Sequence, residues 1–238
     1  MLFGTLSFGQ IRDSSVNILQ VEANYSFCFP SGNLAERFGV NSTVGVGLTY
    51  KLKSNWTLGF EMSYIFGSKI KEDTILKNLC VQSGHIINKY GEYGEINLSE
   101  RGYFAGLKFG KLFPVTNYND NSGIIVNVGG GFMQHKILIE NKDNNTPPVL
   151  DEYKKGYDRL TNGISFREFI GYQHLSNNTY LNFYAGFEFY QAFTQCRRIY
   201  NFDTMQRDDT KRKDLMYGIR AGWILPLYKR NPEKYYYF

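Results

Sequence analysis

The chain has 238 residues, a formal net charge of +5 and an aromatic content of 17%. This length allows a single domain. The basic clusters at 211–213 and 229–230 are not interleaved with the aromatic side chains on which a nucleic-acid binder stacks bases, so no nucleic-acid partner is indicated. No run of about 18 apolar residues occurs, which excludes a transmembrane helix. The aromatic content is high for a soluble domain and is typical of proteins with aromatic girdles at membrane interfaces.

Eight segments alternate apolar and polar side chains with the period of two that a two-faced β-strand requires. In the clearest segment, 56–66, one face is wholly apolar and the other carries Thr57, Gly59, Glu61 and Ser63. We place strands at 18–28, 41–52, 56–66, 101–112, 123–139, 164–174, 179–194 and 214–225. About ten residues of tilted strand span the hydrocarbon core of a bilayer. Each segment therefore has the length of a membrane-crossing strand.

The large apolar side chains must point outward, because eight strands enclose a lumen that side chains just fill. Glycines crowd the opposite face, for example Gly45, Gly47, Gly59, Gly102 and Gly106. A soluble lipid-binding barrel would show the reverse arrangement, with its apolar face inside. The sequence therefore predicts an all-β fold: an eight-stranded antiparallel up-and-down transmembrane β-barrel of outer-membrane type, in contact with outer-membrane lipid.

Short and long connections alternate between the predicted strands. The short ones are 53–55, 113–122 and 175–178, and the long ones are 29–40, 67–100, 140–163 and 195–213. Outer-membrane barrels have short periplasmic turns and long extracellular loops. This pattern places residues 11–227 in a barrel in the outer membrane of a Gram-negative bacterium, with both ends of the barrel segment in the periplasm.

The two ends of the chain have their own composition. Residues 1–10, MLFGTLSFGQ, are typical of the tail of a secretory signal peptide without its basic region, which suggests a start codon assigned too far downstream. The alternative is a short disordered leader. We expect residues 228–238 to form a periplasmic tail that contacts a partner through Lys229, Arg230, Tyr235, Tyr236, Tyr237 and Phe238. The alternative is that the aromatic run is only an insertion signal.

Charged residues on the glycine-rich face predict a salt-bridge network in the lumen. They are Glu22, Glu61, Lys108, Glu188 and Arg220. Strand order puts Arg220 between the strands of Glu22 and Glu188, and Glu61 beside the strand of Lys108. Paired buried charges are tolerable whereas unpaired ones are strongly destabilising. We therefore expect a structural plug, with a gated ion path as the alternative. The adjacent Arg167 and Glu168 break the pattern, since one of them must face outward or lie near an interface.

An enzymatic interpretation has weaker support. His174, Ser176 and Asn177, with the later Glu188, resemble the arrangement in lipid A deacylase barrels, where a histidine activates a serine and a carboxylate orients the histidine. Here the serine lies in a periplasmic turn and the glutamate faces the lumen, so we predict no catalytic activity. No metal site, cofactor or small-molecule substrate is indicated. The three cysteines, Cys28, Cys80 and Cys196, are predicted to be unpaired, with a Cys80–Cys196 bridge as the alternative.

Four segments carry a family resemblance: Lys155–Gly163, Asn182–Glu188, Arg198–Met205 and Gly222–Arg230. They resemble the small outer-membrane barrels of Bacteroidota, over most of the chain. Within that group, the size and topology are similar to the PorG family, which is associated with type IX secretion and gliding motility. The resemblance implies a structural or anchoring role with periplasmic secretion-machinery proteins as partners. The alternatives are a free-standing barrel with adhesive or protective surface loops, and a lipid A-modifying hydrolase.

Overall fold

A computed structural model describes residues 15–115, 119–142, 145–176 and 180–227. The predicted signal remnant at 1–10 and the predicted tail at 228–238 lie outside the described residues. A short helix, α1 (Leu34–Arg37), and 3₁₀ turns at Asp73–Leu79, Pro147–Val149 and Asp151–Gly156 occupy the long connections. The strands are β1 Ile18–Gly32, β2 Asn41–Lys51, β3 Trp56–Gly67, β4 Ile96–Pro114, β5 Gly123–Asn141, β6 Thr161–His174, β7 Phe183–Cys196 and β8 Lys211–Leu227.

These eight strands form a closed ring in which each strand pairs antiparallel with the next. β1 and β8 close the ring in a register that runs from Leu19 opposite Leu227 to Gly32 opposite Asp214. Closure leaves no free sheet edge, so the wall satisfies its backbone hydrogen bonds without water, as a membrane-spanning structure must. The predicted all-β, eight-stranded antiparallel barrel is confirmed.

Most strands extend further at the long-loop end than the sequence predicts. β1 continues to Gly32, β4 begins at Ile96, and β8 begins at Lys211. Antiparallel pairing continues there because each strand still has a partner beside it. At the short-turn end, β7 begins at Phe183, later than the predicted 179. The carbonyl of Tyr180 instead accepts a hydrogen bond from the Trp223 indole at 2.9 Å.

The outer surface of the wall is apolar, with aromatic side chains near both ends. At the short-turn end, Trp56 stacks on Phe109 with ring centroids 4.9 Å apart. At the long-loop end, the ring of Phe29 lies 5.7 Å from that of Tyr217. Aromatic belts of this kind flank the lipid-facing band of outer-membrane barrels. The predicted outward face is therefore the lipid-facing face. No helix in the described residues is long and apolar enough to cross a membrane.

The lumen is layered along the barrel axis. A periplasmic layer is apolar and contains Ile18, Leu112, Ile125, Phe169, Leu175, Tyr184 and Ile224. An outer layer combines lumen residues with residues of the long loops and includes Leu34, Phe38, Ile75, Leu76, Ile86, Phe104, Met133 and Val149. Between them lies a charged layer. The long loops therefore fold over the mouth of the barrel as an outer cap, which we define as the described residues of the four long connections.

The β4–β5 hairpin supports this cap. Each of its strands has 19 residues. A strand of that length tilted by about 40° rises by about 50 Å along the barrel axis, against a hydrocarbon core of about 30 Å. The outer part of the hairpin therefore stands above the membrane and carries the loops that pack on it.

Candidate functional site in the barrel lumen

The charged layer brings together six side chains from six different strands. Three are acidic and three are basic, so their formal charges cancel. All six are buried: Glu22, Glu61, Lys108, Arg167, Glu188 and Arg220. Five of them are the predicted lumen residues, and Arg167 is the addition.

Two arginines bridge two glutamates at the centre of this layer. Arg220 donates through Nη1 to Glu188 Oε2 at 2.9 Å and through Nη2 to Glu61 Oε2 at 3.1 Å. Its Nε lies 3.3 Å from the hydroxyl oxygen of Tyr184. Arg167 Nε lies 2.5 Å from Glu61 Oε1, and Arg167 Nη1 lies 3.9 Å from Glu188 Oε2. Each carboxylate therefore contacts both guanidinium groups.

The third ion pair crosses the lumen. Lys108 Nζ on β4 donates to Glu22 Oε2 on β1 at 2.7 Å, and the hydroxyl of Thr49 also donates to Glu22. The sequence placed Glu61 next to the strand of Lys108, but Glu61 pairs with the two arginines instead. β1 and β4 are not neighbours in the ring. In so narrow a barrel, a long side chain reaches the opposite wall as readily as the adjacent strand.

Glycines beside the charged residues provide the space for them. Gly47 lies opposite both Glu22 and Glu61 in the ladders, and Lys108 lies opposite Gly59 and Gly129. A Cβ atom at Gly47 would lie 3.4 Å from Glu22 Oε2 and 3.5 Å from Lys108 Nζ. A larger side chain there would occupy the volume of the ion pair. The glycine-rich inner face and the charged inner face are thus parts of one packing arrangement.

The charged layer contains little free space. A cavity of about 10 Å³ lies beside Glu22, Lys108 and Arg167. This is about the space that one water molecule needs. With the apolar layers on either side, the described side chains fill the middle of the lumen.

A second polar cluster closes the mouth of the barrel. Arg37 of α1 donates to Thr161 Oγ1 at 3.0 Å and lies 3.8 Å from Asp214 Oδ1. The other oxygen of Asp214 contacts His135 Nε2 at 2.9 Å and accepts a hydrogen bond from the Thr194 hydroxyl at 2.5 Å. All five side chains are buried. The helix that the first long loop forms is therefore fixed to the barrel wall by an ion pair.

Further ion pairs hold the outer cap together. Arg159 contacts Glu72 Oε1 at 2.9 Å and Asp203 Oδ2 at 2.5 Å, which links three of the long loops. Burial acts to lower the pKa of Arg159, but these two carboxylates outweigh it, so its pKa is raised. Arg198 makes a two-pronged contact with Asp158, and these hydrogen bonds raise the pKa of Arg198. The loops are therefore cross-linked to one another by charge.

The residues of the enzymatic alternative do not come together. Glu188 is buried in the lumen, whereas His174 is on the outward face of β6 and its ring lies 5.3 Å from that of Phe183. Asn177 lies outside the described residues. The backbone N–H of Ser176 donates to Asn182 Oδ1 at 2.7 Å. The carboxylate of Glu188 would have to orient the His174 imidazole, but the barrel wall separates the two side chains.

The cysteines and histidines form no composite site in the described part of the chain. Cys28, Cys80 and Cys196 are free thiols, and Cys28 Sγ donates to Glu188 Oε1 at 3.6 Å. No group of three or more His, Cys, Asp or Glu side chains that could hold a metal ion occurs among the residues described.

Arg167 was absent from the predicted network although the sequence carries a signal for it. On β6 the small residues Gly163, Ser165 and Gly171 share one parity, and Arg167 shares that parity with them. Because small residues mark the lumen face in this chain, parity predicts that Arg167 points inward. The structure agrees, since Arg167 is buried and Glu168 is exposed on the outer face.

No protein-family model matches the sequence, and no curated protein matches it. The fold is similar to Ail of Yersinia pestis, with a TM-score of 0.44 and 8% identity over 88% of this chain and 99% of that chain. It is also similar to OprG of Pseudomonas aeruginosa, with a TM-score of 0.42 and 10% identity over 90% and 98%. The N-terminal barrel of Pseudomonas aeruginosa OprF gives a TM-score of 0.39 and 11% identity over 88% and 98%.

The geometry of the chain itself shows to which class of protein fold it belongs. A closed antiparallel ring, an apolar outer wall with aromatic belts, and a polar lumen are together characteristic of transmembrane barrels. The chain is a small eight-stranded transmembrane β-barrel of the outer-membrane type.

Proposed function

We infer that this protein is a non-conducting scaffold that anchors an envelope assembly at the outer membrane, in the manner of the type IX secretion and gliding barrels that it resembles. The observation that carries the inference is the filled lumen. Six charged side chains occupy the centre of the barrel and neutralise one another. A barrel without an open path acts through its surfaces rather than by transport.

Two surfaces outside the membrane are available for an anchoring role. By the topology that the sequence predicts, the short turns and the segment 228–238 lie on the periplasmic side, where a secretion machine would be reached. Tyrosine and arginine are enriched at the energetic centres of interfaces, and this segment contains Arg230 and the run Tyr235–Tyr237. We therefore assign partner capture to the tail and the short turns.

The first experiment measures conduction. Purified barrels in planar lipid bilayers are expected to give no steady single-channel current. The matched variant replaces Arg167, Arg220, Glu61 and Glu188 with alanine, which removes the central side chains without leaving a buried charge unpaired, and serves to show that the assay detects an opened lumen. A steady current from the unchanged protein would overturn the sealed-scaffold function.

The second experiment measures partner capture from gently solubilised outer membranes. Deletion of residues 231–238 is expected to abolish co-purification of periplasmic proteins. Insertion is verified by faster gel migration of unheated than of boiled samples, since closed barrels resist detergent. A second variant, with Lys229 and Arg230 replaced by alanine, is expected to weaken capture while it keeps the aromatic run that could act as an insertion signal.

The control variant changes the outer cap instead. Shortening 69–98 would remove cap residues such as Ile75 and Ile86, which are buried, and would therefore disturb the fold. Replacement of the exposed Tyr90, Ile199 and Met205 by serine alters the outer surface and leaves that core intact. Capture is expected to persist in this control.

A second candidate function is outward-facing adhesion or protection. The folded cap favours it, because Ile199 is 85% exposed and Tyr90 is 69% exposed on loops that ion pairs hold in place. If the serine variant loses surface attachment of whole cells while the tail deletion keeps periplasmic capture unchanged, this candidate replaces the anchoring role.

A further inference from the structure

Among the residues that the structure describes, the lipid-facing surface of the barrel contains one acidic side chain in an apolar setting. Glu168 is exposed on the outer face of β6. Along the same face of its own strand it is flanked by Phe166 and Ile170, and in the ladders it lies opposite Val128 and Phe189. All four neighbours are apolar. Glu168 therefore lies within the lipid-facing band and away from its ends.

A carboxyl group in such a position lacks a charge partner. Glu168 forms no ion pair with any of the residues that the structure describes. Polar and ionisable side chains that face lipid are destabilising, and this cost falls only near the interfaces. A tightly packed barrel that otherwise presents aliphatic and aromatic groups to lipid is expected to carry such a group only where something other than lipid covers it.

Gln191 on β7 is the polar neighbour of Glu168. Its Nε2 donates to Glu168 Oε1 at 3.3 Å. Since the two side chains touch, they lie at nearly the same depth in the membrane. A carboxamide has two N–H donors and one carbonyl acceptor, and a carboxyl group has two oxygens. One bond between them leaves one amide N–H and further oxygen acceptors available for a second hydrogen bond.

We propose that the β6–β7 face is a self-association surface at which a second copy of this chain binds, with Glu168 of each copy hydrogen-bonded to Gln191 of the other. Two copies in one membrane share the same orientation, so a two-fold axis that relates them runs along the membrane normal. In such a symmetric contact, residue i meets residue j and residue j meets residue i. Equal depth of Glu168 and Gln191 is the condition for that reciprocal contact.

A second copy fits this surface better than a partner of another kind. A basic partner would be expected to meet an isolated acid, but here the acid already shares its patch with a carboxamide that supplies the complementary donor. The surrounding apolar side chains Phe166 on β6 and Phe189 on β7 would pack against the β7 and β6 strands of the second copy. The patch is thus complementary to itself in hydrogen bonding, and its surroundings are apolar. This inference does not depend on the proposed secretion role.

Cross-linking provides the direct test. Barrels with Glu168→Cys and barrels with Gln191→Cys, distinguished by tags of different size, are reconstituted together in phospholipid vesicles and oxidised. The mixed disulfide dimer is expected at a yield several-fold above background. The control pair is Val46→Cys with Tyr64→Cys on the opposite wall of the barrel. Tyr64 lies two residues beyond the ladder partner of Val46, just as Gln191 lies two residues beyond the ladder partner of Glu168. The unchanged chain, which retains its three native cysteines, gives the background.

The association state supplies an independent measurement. In mild detergent, the unchanged chain is expected to sediment as a dimer, and Glu168→Leu and Gln191→Leu as monomers. Both leucine variants suit a lipid-facing position, and the shift between unheated and boiled samples verifies that they fold. A mixed disulfide yield equal to that of the control pair, or a dimer that survives Glu168→Leu, would overturn the proposal.

Discussion

Arg167 and Glu168 are consecutive residues of β6, and their side chains lie on opposite sides of the barrel wall. Arg167 Nε is 2.5 Å from Glu61 Oε1 inside the lumen, whereas Glu168 is exposed on the lipid-facing surface. Successive side chains of a strand alternate between its faces. The two charges therefore belong to different environments, one balanced by carboxylates and one in an apolar band.

The lumen network predicts a large effect from removal of one arginine. Arg220→Leu leaves Glu188 and Glu61 with only the Arg167 guanidinium between them, and loss of one partner of a buried ion pair costs about 3 kcal/mol or more. Adding Glu188→Gln removes one of the uncompensated charges and should restore part of this loss. Urea unfolding in detergent, followed by tryptophan fluorescence, measures the free energy of unfolding. The exposed pair Arg207–Asp209 supplies the control, since Arg207→Leu should change little. Equal unfolding of the Arg220 single and double variants would contradict the network.

The space around Gly47 predicts a steep dependence on side-chain size. In Gly47→Ala the added Cβ makes ordinary contacts, 3.4 Å from Glu22 Oε2 and 3.5 Å from Lys108 Nζ, so the barrel should fold normally. Gly47→Leu must displace that ion pair, and overpacking of this kind costs about 1–3 kcal/mol. The same unfolding assay compares the two variants. If leucine is tolerated as well as alanine, the glycine does not serve to make room for the charges.

The ion pairs of the outer cap predict local rather than global effects. Arg159→Leu removes the link from Glu72 to Asp203 and should make the outer loops more susceptible to protease in intact barrels. The matched control is Arg207→Leu, which removes an exposed ion pair within one loop and should leave the protease susceptibility of the loops unchanged. Limited proteolysis with mass spectrometry of the fragments shows which loops open. Unchanged cleavage of the Arg159 variant would show that the cap is held by its apolar core alone.

Asp208 predicts an acid-sensitive contact in the last long loop. Burial acts to raise its pKa, but hydrogen bonds from Arg212 and Thr210 prevail and hold the pKa below the ordinary value of 3.8. A lowered pKa in the folded state means that this contact stabilises the loop above about pH 4 and is lost as the pH falls through the folded pKa. A carboxyl NMR titration measures this pKa, and Arg212→Leu should raise it. An unchanged pKa in that variant would show that Arg212 has no such effect.

Much of the fold follows from the sequence because its strands obey a local rule. In a segment such as 56–66, alternation with a period of two assigns each side chain to a face without knowledge of any other strand. Since a bilayer surrounds the wall and eight strands leave a narrow lumen, the bulky apolar face has to be outside. Strand number, order and sidedness then follow from counting segments and connections.

The partners of the charged residues depend on the closed ring. Parity places Glu22, Glu61 and Lys108 on the inner face, but it does not say that Lys108 crosses to Glu22 while Glu61 meets two arginines. Those pairings are set by the diameter of the lumen and by the height of each residue along tilted strands, which arise only when the ring closes.

The outer cap is likewise a tertiary feature. The long loops lack a regular period, so nothing local indicates that Phe38, Ile75 and Val149 share one buried core or that Arg159 joins Glu72 to Asp203. Local alternation is therefore enough to predict the barrel and the side of its wall on which each strand residue lies. Which charges meet cannot be predicted in this way, because contacts between distant segments depend on how the closed barrel places them in space.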